Sequence, residues 1–255
     1  MNLRKRKRLS WIQSLILIIC LGTFLFSVIK IATIYYEYSK NEKVMNEIQV
    51  EYQEIQQNSE PVAEENQIRS PFQSLLKINP DIVGWLTIDH TKVHYPILQS
   101  SDNEYYLKRN YKKEESKAGS IFMDYRNQVD TLNKQTIIYG HEMKDGSMFG
   151  QLKKFLDEEF ASQNKHFQFN TIYASYDVEV FSAYVTTTDF HYIETDFASD
   201  EEYKQYLKVI KENSEVQTNV QVNEKDHIIT LSTCNNLSDP DEGRLVVHGK
   251  LTKID

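Results

Sequence analysis

Cysteine is nearly absent, with two residues among 255, Cys20 and Cys234. Cys20 lies inside an apolar N-terminal run and Cys234 lies in the polar remainder. A bridge between them would have to join two environments, so a disulfide framework is excluded and Cys234 is expected as a free thiol. Basic residues are scarce beyond the first thirty positions. Those thirty hold six of the 29 Lys/Arg and none of the 37 acids, which leaves the rest of the chain at a net charge of −14. Such a surface offers no footprint for nucleic acid, whose phosphates need a basic face. Metal-ligand spacing is missing as well. His90, His94, His166, His191, His227 and His248 form no ligand pattern, and His141-Glu142 lacks the second His of a zinc helix, so no metal is expected. No internal repeat is visible.

The long uncharged stretch at residues 11–29 is what the N-terminal part does have. At about 1.5 Å per residue it can span a bilayer core as a helix. Residues 1–10 carry the basic block Arg4 to Arg8, which sets the N-terminus in the cytoplasm. Trp11 at one end and Tyr35 and Tyr36 at the other serve as interfacial anchors. A cleaved signal peptide competes with this reading, but Ser27-Val28-Ile29 is a poor cleavage site and the run exceeds a usual signal core. The expectation is an uncleaved anchor over 11–34, with everything after it extracytoplasmic. Residues 35–69 read as a helical stalk and linker. Within it Tyr38, Met45 and Tyr52 recur every seven residues, with Ile48 and Ile55 as a second row. That pattern suits a short coiled coil, a helix docked on the domain or a solvated stalk. Residues 58–69, with Pro61, read as a hinge.

Residues 70–255 hold the folded domain. Short β-branched and aromatic runs recur at 82–88, 93–98, 121–124, 136–139, 167–169, 172–174, 178–183, 184–188, 220–222, 228–233 and 245–251. Helical stripes are expected at 72–78, 148–160 and 201–213. Many short strands with few helices predict a mainly β domain built as a closed or nearly closed barrel with peripheral helices.

Two of these strands end in reactive side chains. The run Thr230-Leu231-Ser232-Thr233 leads into Cys234, followed by loop chemistry, and ten residues later Arg244 opens the next strand. If the two strands are neighbours, thiol and guanidinium share one end of a sheet. His141 repeats the setting after the run at 136–139. A thiolate that attacks a carbonyl needs a fixed positive partner for the oxyanion and a group that moves protons near neutral pH. Arg supplies a planar, permanently charged fork of donors for the first task. Arg244 alone would pass for a surface residue; its spacing from Cys234 reverses that. His248, four residues on along the same strand, shares its face and reads as structural.

Taken together, Thr230-Leu231-Ser232-Thr233-Cys234, Arg244 within Arg-Leu-Val-Val-His-Gly-Lys-Leu, and Tyr139-Gly140-His141-Glu142-Met143-Lys144-Asp145-Gly146 resemble the active-site motifs of the sortases, class B in particular. The resemblance covers roughly residues 70–253. It implies an eight-stranded β-barrel, with the 201–213 helix inserted before the penultimate strand, and a membrane-anchored transpeptidase that needs no cofactor. Cys234, His141 and Arg244 would be catalytic. The implied substrate is a C-terminal sorting motif of secreted proteins cleaved after Thr, and the implied acceptor is an amine of a lipid-linked peptidoglycan cross-bridge precursor. Asn103 and Leu107 in Asp102-Asn103-Glu104-Tyr105-Tyr106-Leu107, together with Tyr139 and Ser232, match the class B peptide groove. Tyr192 and Ile193 resemble the loop that covers the peptide.

Other readings stay open from the residues alone. A pilin-polymerising enzyme would use the same site with a Lys acceptor. A non-catalytic surface-binding module would keep its function in Cys234→Ala. A wall-crosslinking cysteine enzyme of the L,D type would be expected to hold its His and Cys motifs close together, whereas here 93 residues separate them.

Overall fold

The computed structural model describes residues 11–58, 67–234 and 243–254. The basic block at 4–8, most of the expected hinge, the loop at 235–242 and the side chain of Cys234 lie outside the described residues. The chain forms two compact units, one up to Val44 and one from Met45 onward. In the first unit, helix α1 (Trp11–Asn58) begins with apolar side chains on every face. Ile16, Leu17, Ile18 and Ile19 are consecutive and all more than half exposed. A helix that is apolar all round without protein cover is suited to lipid, and this one is long and apolar enough to cross a membrane.

The second unit opens with the last turns of α1. Met45, Ile48 and Tyr52 form a buried stripe at helical spacing. The Tyr52 ring stacks on Trp85 at 3.9 Å and 11°, and Gln49 Nε2 donates to the His94 carbonyl at 2.7 Å. Of the roles open to the stalk, residues 45–58 take the docked one. Helix α2 (Ser70–Ile78) follows, burying Phe72 and Leu75.

Eight strands close into a barrel: β1 (Ile82–Thr87), β2 (His94–Leu98), β3 (Ile121–Met123), β4 (Gln135–Tyr139), β5 (His166–Thr171), β6 (Ser175–Thr187), β7 (His227–Cys234) and β8 (Gly243–Lys253). The order around the barrel is β1-β2-β3-β4-β7-β8-β6-β5, and β1 pairs with β5 to seal it. Two pairs are parallel, β2 with β3 and β4 with β7. Helix α4 (Asp200–Glu212) is capped by Ser199, whose Oγ accepts from the Glu202 amide. Its buried face of Tyr203, Leu207 and Ile210 packs with Tyr184, Ile228 and Val246 into an apolar cluster on β6, β7 and β8.

Three local expectations are corrected. The stripe at 148–160 is not one helix but a 3₁₀ turn (Leu152–Leu156) and then α3 (Glu158–Gln163). Asp157 is extended and its side chain caps the Phe160 amide, which starts a new helix where the pattern alone would continue the old one. Residues 172–174 form the turn between β5 and β6, held by Thr171 Oγ1, which accepts from the amides of Tyr173 and Ala174. Residues 220–222 form no strand; Val220 and Val222 instead pack into the α4 cluster. The two runs over 178–188 belong to the single strand β6.

Candidate active site

Strand register builds the site. β4 and β7 run parallel with Tyr139 opposite Ser232, and the Gly140 amide donates to the Ser232 carbonyl at 3.2 Å. His141 and Cys234 each stand two residues beyond that matched pair, so both backbones reach the same end of the barrel. Parallel neighbours lie about 4.8 Å apart. On the other side, β8 runs antiparallel to β7 with Arg244 directly opposite Cys234. Three residues scattered over more than a hundred positions therefore meet at one barrel rim.

The His141 loop is tightly closed. The Phe149 amide donates to the His141 carbonyl at 3.0 Å, the Gly146 amide donates to the Met143 carbonyl at 3.0 Å, and Asp145 Oδ1 accepts from the Ser147 hydroxyl at 2.7 Å. A side chain at Gly140 would force its neighbours to shift, because a Cβ would sit 2.4 Å from Ile121 Cδ1 and 2.9 Å from the Phe149 ring. The imidazole is half-buried and its Nε2 lies 2.7 Å from the Leu107 carbonyl. A carbonyl can only accept, so Nε2 carries a proton and donates. Gly119 packs against Leu107 at a φ of +58°, where an added Cβ would fall 2.6 Å from that same carbonyl oxygen.

His141 and Arg244 line one cavity of about 330 Å³, together with Asn103, Leu107, Tyr139, Tyr192, Ile193 and Ser232. Every candidate named from the sequence whose side chain is described thus borders the same space. Tyr192 and Ser232 share a buried hydrogen bond, 2.8 Å between hydroxyl oxygens. Arg244 donates through one terminal nitrogen to the Gly243 carbonyl at 2.8 Å. The walls are largely apolar. Phe122, Gly140, Thr188, Phe190, His191 and Thr233 also line the cavity, none of them expected as a site residue from its sequence position. Three of them flank candidate residues directly and could have been inferred by adjacency: Gly140, His191 and Thr233.

Behind the cavity lies a group that the sequence reading also left out. Asp124, just past β3, is fully buried. Its Oδ1 accepts from the Arg126 amide at 3.0 Å and from Arg126 Nε at 2.8 Å. Its Oδ2 accepts from an Arg126 terminal nitrogen at 2.8 Å and from Asn103 Nδ2 and the Tyr139 hydroxyl at 3.0 Å each. Burial alone would raise the carboxyl pKa, but the hydrogen bonds from Arg126 and Asn103 outweigh it and hold the group below its ordinary value. Burial pushes the Tyr139 hydroxyl strongly up, and the Asp124 charge adds to this, so Tyr139 stays a neutral donor. Among the described residues no cluster of His, Cys, Asp and Glu could hold a metal ion.

The chain is similar to known proteins in sequence and fold. A sortase domain model matches residues 86–252. Sortase B of Listeria monocytogenes is 45% identical over 242 residues, covering 95% of this chain and 97% of the relative. Sortase B of Staphylococcus aureus is 41% identical over 205 residues, or 80% of this chain and 84% of the relative. The solved Staphylococcus aureus sortase B–substrate complex superposes with a TM-score of 0.80 at 38% identity, covering 86% of this chain and all of that one.

Proposed function

Because the chain belongs to the sortase family, cysteine transpeptidases, and resembles its class B members, we propose that it anchors secreted proteins to the cell wall from the membrane. In this reading α1 holds the enzyme in the membrane, N-terminus inside and barrel outside. The cavity takes the C-terminal sorting motif of a secreted protein. Cys234, as thiolate, attacks the carbonyl of a Thr in the motif. A sulfur–carbon bond forms, the peptide C–N bond breaks, and His141 gives its proton to the departing amine. The amine of a peptidoglycan cross-bridge precursor then attacks the thioester, loses a proton to His141 and expels the thiolate. Arg244 stabilises the oxyanion at both steps, working in an apolar cavity where such contacts count for more than in water.

The register of the three strands carries this reading: Tyr139 against Ser232, and Cys234 against Arg244. It supports a thiol, an imidazole and a guanidinium acting at one point. A relative solved with substrate is consistent with a peptide groove in the same fold. The test incubates the full chain in detergent with a library of sorting-motif peptides and hydroxylamine, followed by mass spectrometry. The expected result is an acyl adduct on Cys234 that hydroxylamine resolves. Undiminished turnover in Cys234→Ala would contradict the scheme.

A further inference from the structure

Four of the residues assigned above to the peptide groove come from three separate segments. Asn103 sits on the β2–β3 connection, Tyr139 ends β4, and Tyr192 and Ile193 sit on the connection between β6 and α4. A groove formed by separate elements keeps its width only if something ties its walls. One wall is tied by Asp124, through Asn103 and Tyr139. A second segment of the lining is tied by Arg126, whose terminal nitrogen donates to the Ile193 carbonyl at 2.9 Å while the same guanidinium grips Asp124 through its fork. The neighbouring Tyr192 carbonyl accepts from Gln135 Nε2 and from the Tyr206 hydroxyl, each at 2.7 Å. Asn103 is fixed from a second side, its Oδ1 accepting from the Tyr125 amide at 3.0 Å.

We infer that the Asp124–Arg126 pair positions the substrate groove, joining the Asn103 wall to the Ile193 wall and thereby setting how tightly the sorting motif binds. Neither residue borders the cavity or approaches the reacting atoms, so both act through others. The inference rests on the proposed function for the identity of the groove. The geometry of the pair also fits the task. A planar guanidinium can hold a carboxylate with two parallel bonds and still present a further N–H to a carbonyl, which an ammonium cannot do from one place. The carboxylate collects five donors, so its removal leaves buried donors facing one another.

Two measurements on the full chain in detergent decide the matter, with Arg126→Lys as the main variant and Asp124→Asn as the harsher one. Arg126→Lys keeps a positive charge beside Asp124 but loses the bond to Ile193, so it folds while the tie is cut. The first measurement is amide hydrogen exchange. Residues 188–199 should exchange faster in Arg126→Lys, with β7 and β8 unchanged. Unchanged exchange at 188–199 overturns the inference, and this arm does not depend on turnover. The second is peptide kinetics, in which KM should rise about tenfold while kcat stays within about threefold, the signature of lost binding rather than lost chemistry. An unchanged KM marks the pair as purely structural and overturns the inference. If the wild-type chain turns over no sorting peptide, the proposed function fails, and the exchange measurement still decides whether the pair ties the two walls.

Discussion

Lowering the pH should weaken this fold through a fully buried histidine. His248 on β8 is fully buried. Its Nδ1 lies 2.8 Å from Thr230 Oγ1 and its Nε2 lies 2.9 Å from the Tyr184 hydroxyl, with the Phe181 ring stacked at 5.8 Å. Each hydroxyl can donate or accept, so a neutral ring with one donor and one acceptor is satisfied at both nitrogens. Burial pushes the imidazole pKa from 6.5 down to about 3. The folded-state value thus lies below the unfolded one. Above pH 6.5 both states are neutral and His248 adds no pH dependence. As pH falls from 6.5 toward 3 the unfolded chain takes up a proton that the folded chain refuses, and stability is lost by about 1.4 kcal/mol per pH unit. Between about pH 7 and about pH 4.5 that amounts to roughly 2.5 kcal/mol, a sizeable part of a typical total of about 5–15 kcal/mol. Urea unfolding of the full chain in detergent, followed by tryptophan fluorescence, measures it against His248→Gln, whose amide keeps a donor and an acceptor but does not titrate. Carboxylates contribute equally to both proteins and cancel. Parallel stability curves for the two would refute the assignment of a neutral, proton-refusing ring.

Further outcomes follow from the docking and the site. Tyr52→Ala removes the ring stacked on Trp85 and should cost about 3–5 kcal/mol by denaturant unfolding; a loss under about 1 kcal/mol would mean the helix end adds little to the barrel. Gly119→Ala forces a Cβ against the Leu107 carbonyl at a positive φ, and should both destabilise the fold and slow turnover by displacing the acceptor that orients His141. Arg244→Lys keeps the charge but loses the fork, so kcat/KM should fall by about a hundredfold or more in the peptide assay; near-wild-type activity would remove the oxyanion role.

The sequence carried the barrel because its strands are short, β-branched and bounded by loop chemistry, and it marked Cys234, His141 and Arg244 as candidates because each stands at a strand end. Neither route reaches residues whose role comes from distant partners. Asp124-Tyr125-Arg126 reads as an ordinary turn after β3; only the fold brings Asn103 and Tyr139 onto that carboxylate and the Ile193 carbonyl onto that guanidinium. The parallel pairing of β4 with β7, across more than ninety residues, has no local signature. The stripe at 148–160 looked like one helix because its burial is continuous through Met148, Phe149, Leu152 and Phe155, while the break is made by the single side chain of Asp157. Val220 and Val222 carry strand-forming side chains, yet burial against α4 decides their conformation.

The in-step march of β4 and β7 also constrains how such a chain can change. From Gln135 and Ile228, which face each other, the imidazole and the thiol each lie six positions on. One residue gained or lost within either segment would slide one reactive group by about 3.3 Å and turn it to the opposite side of the sheet, leaving every motif letter intact. The connecting loops can lengthen freely, but these two stretches must keep equal length. Under the proposed function, counting that spacing is as stringent a criterion for an active member as finding the Cys, His and Arg themselves.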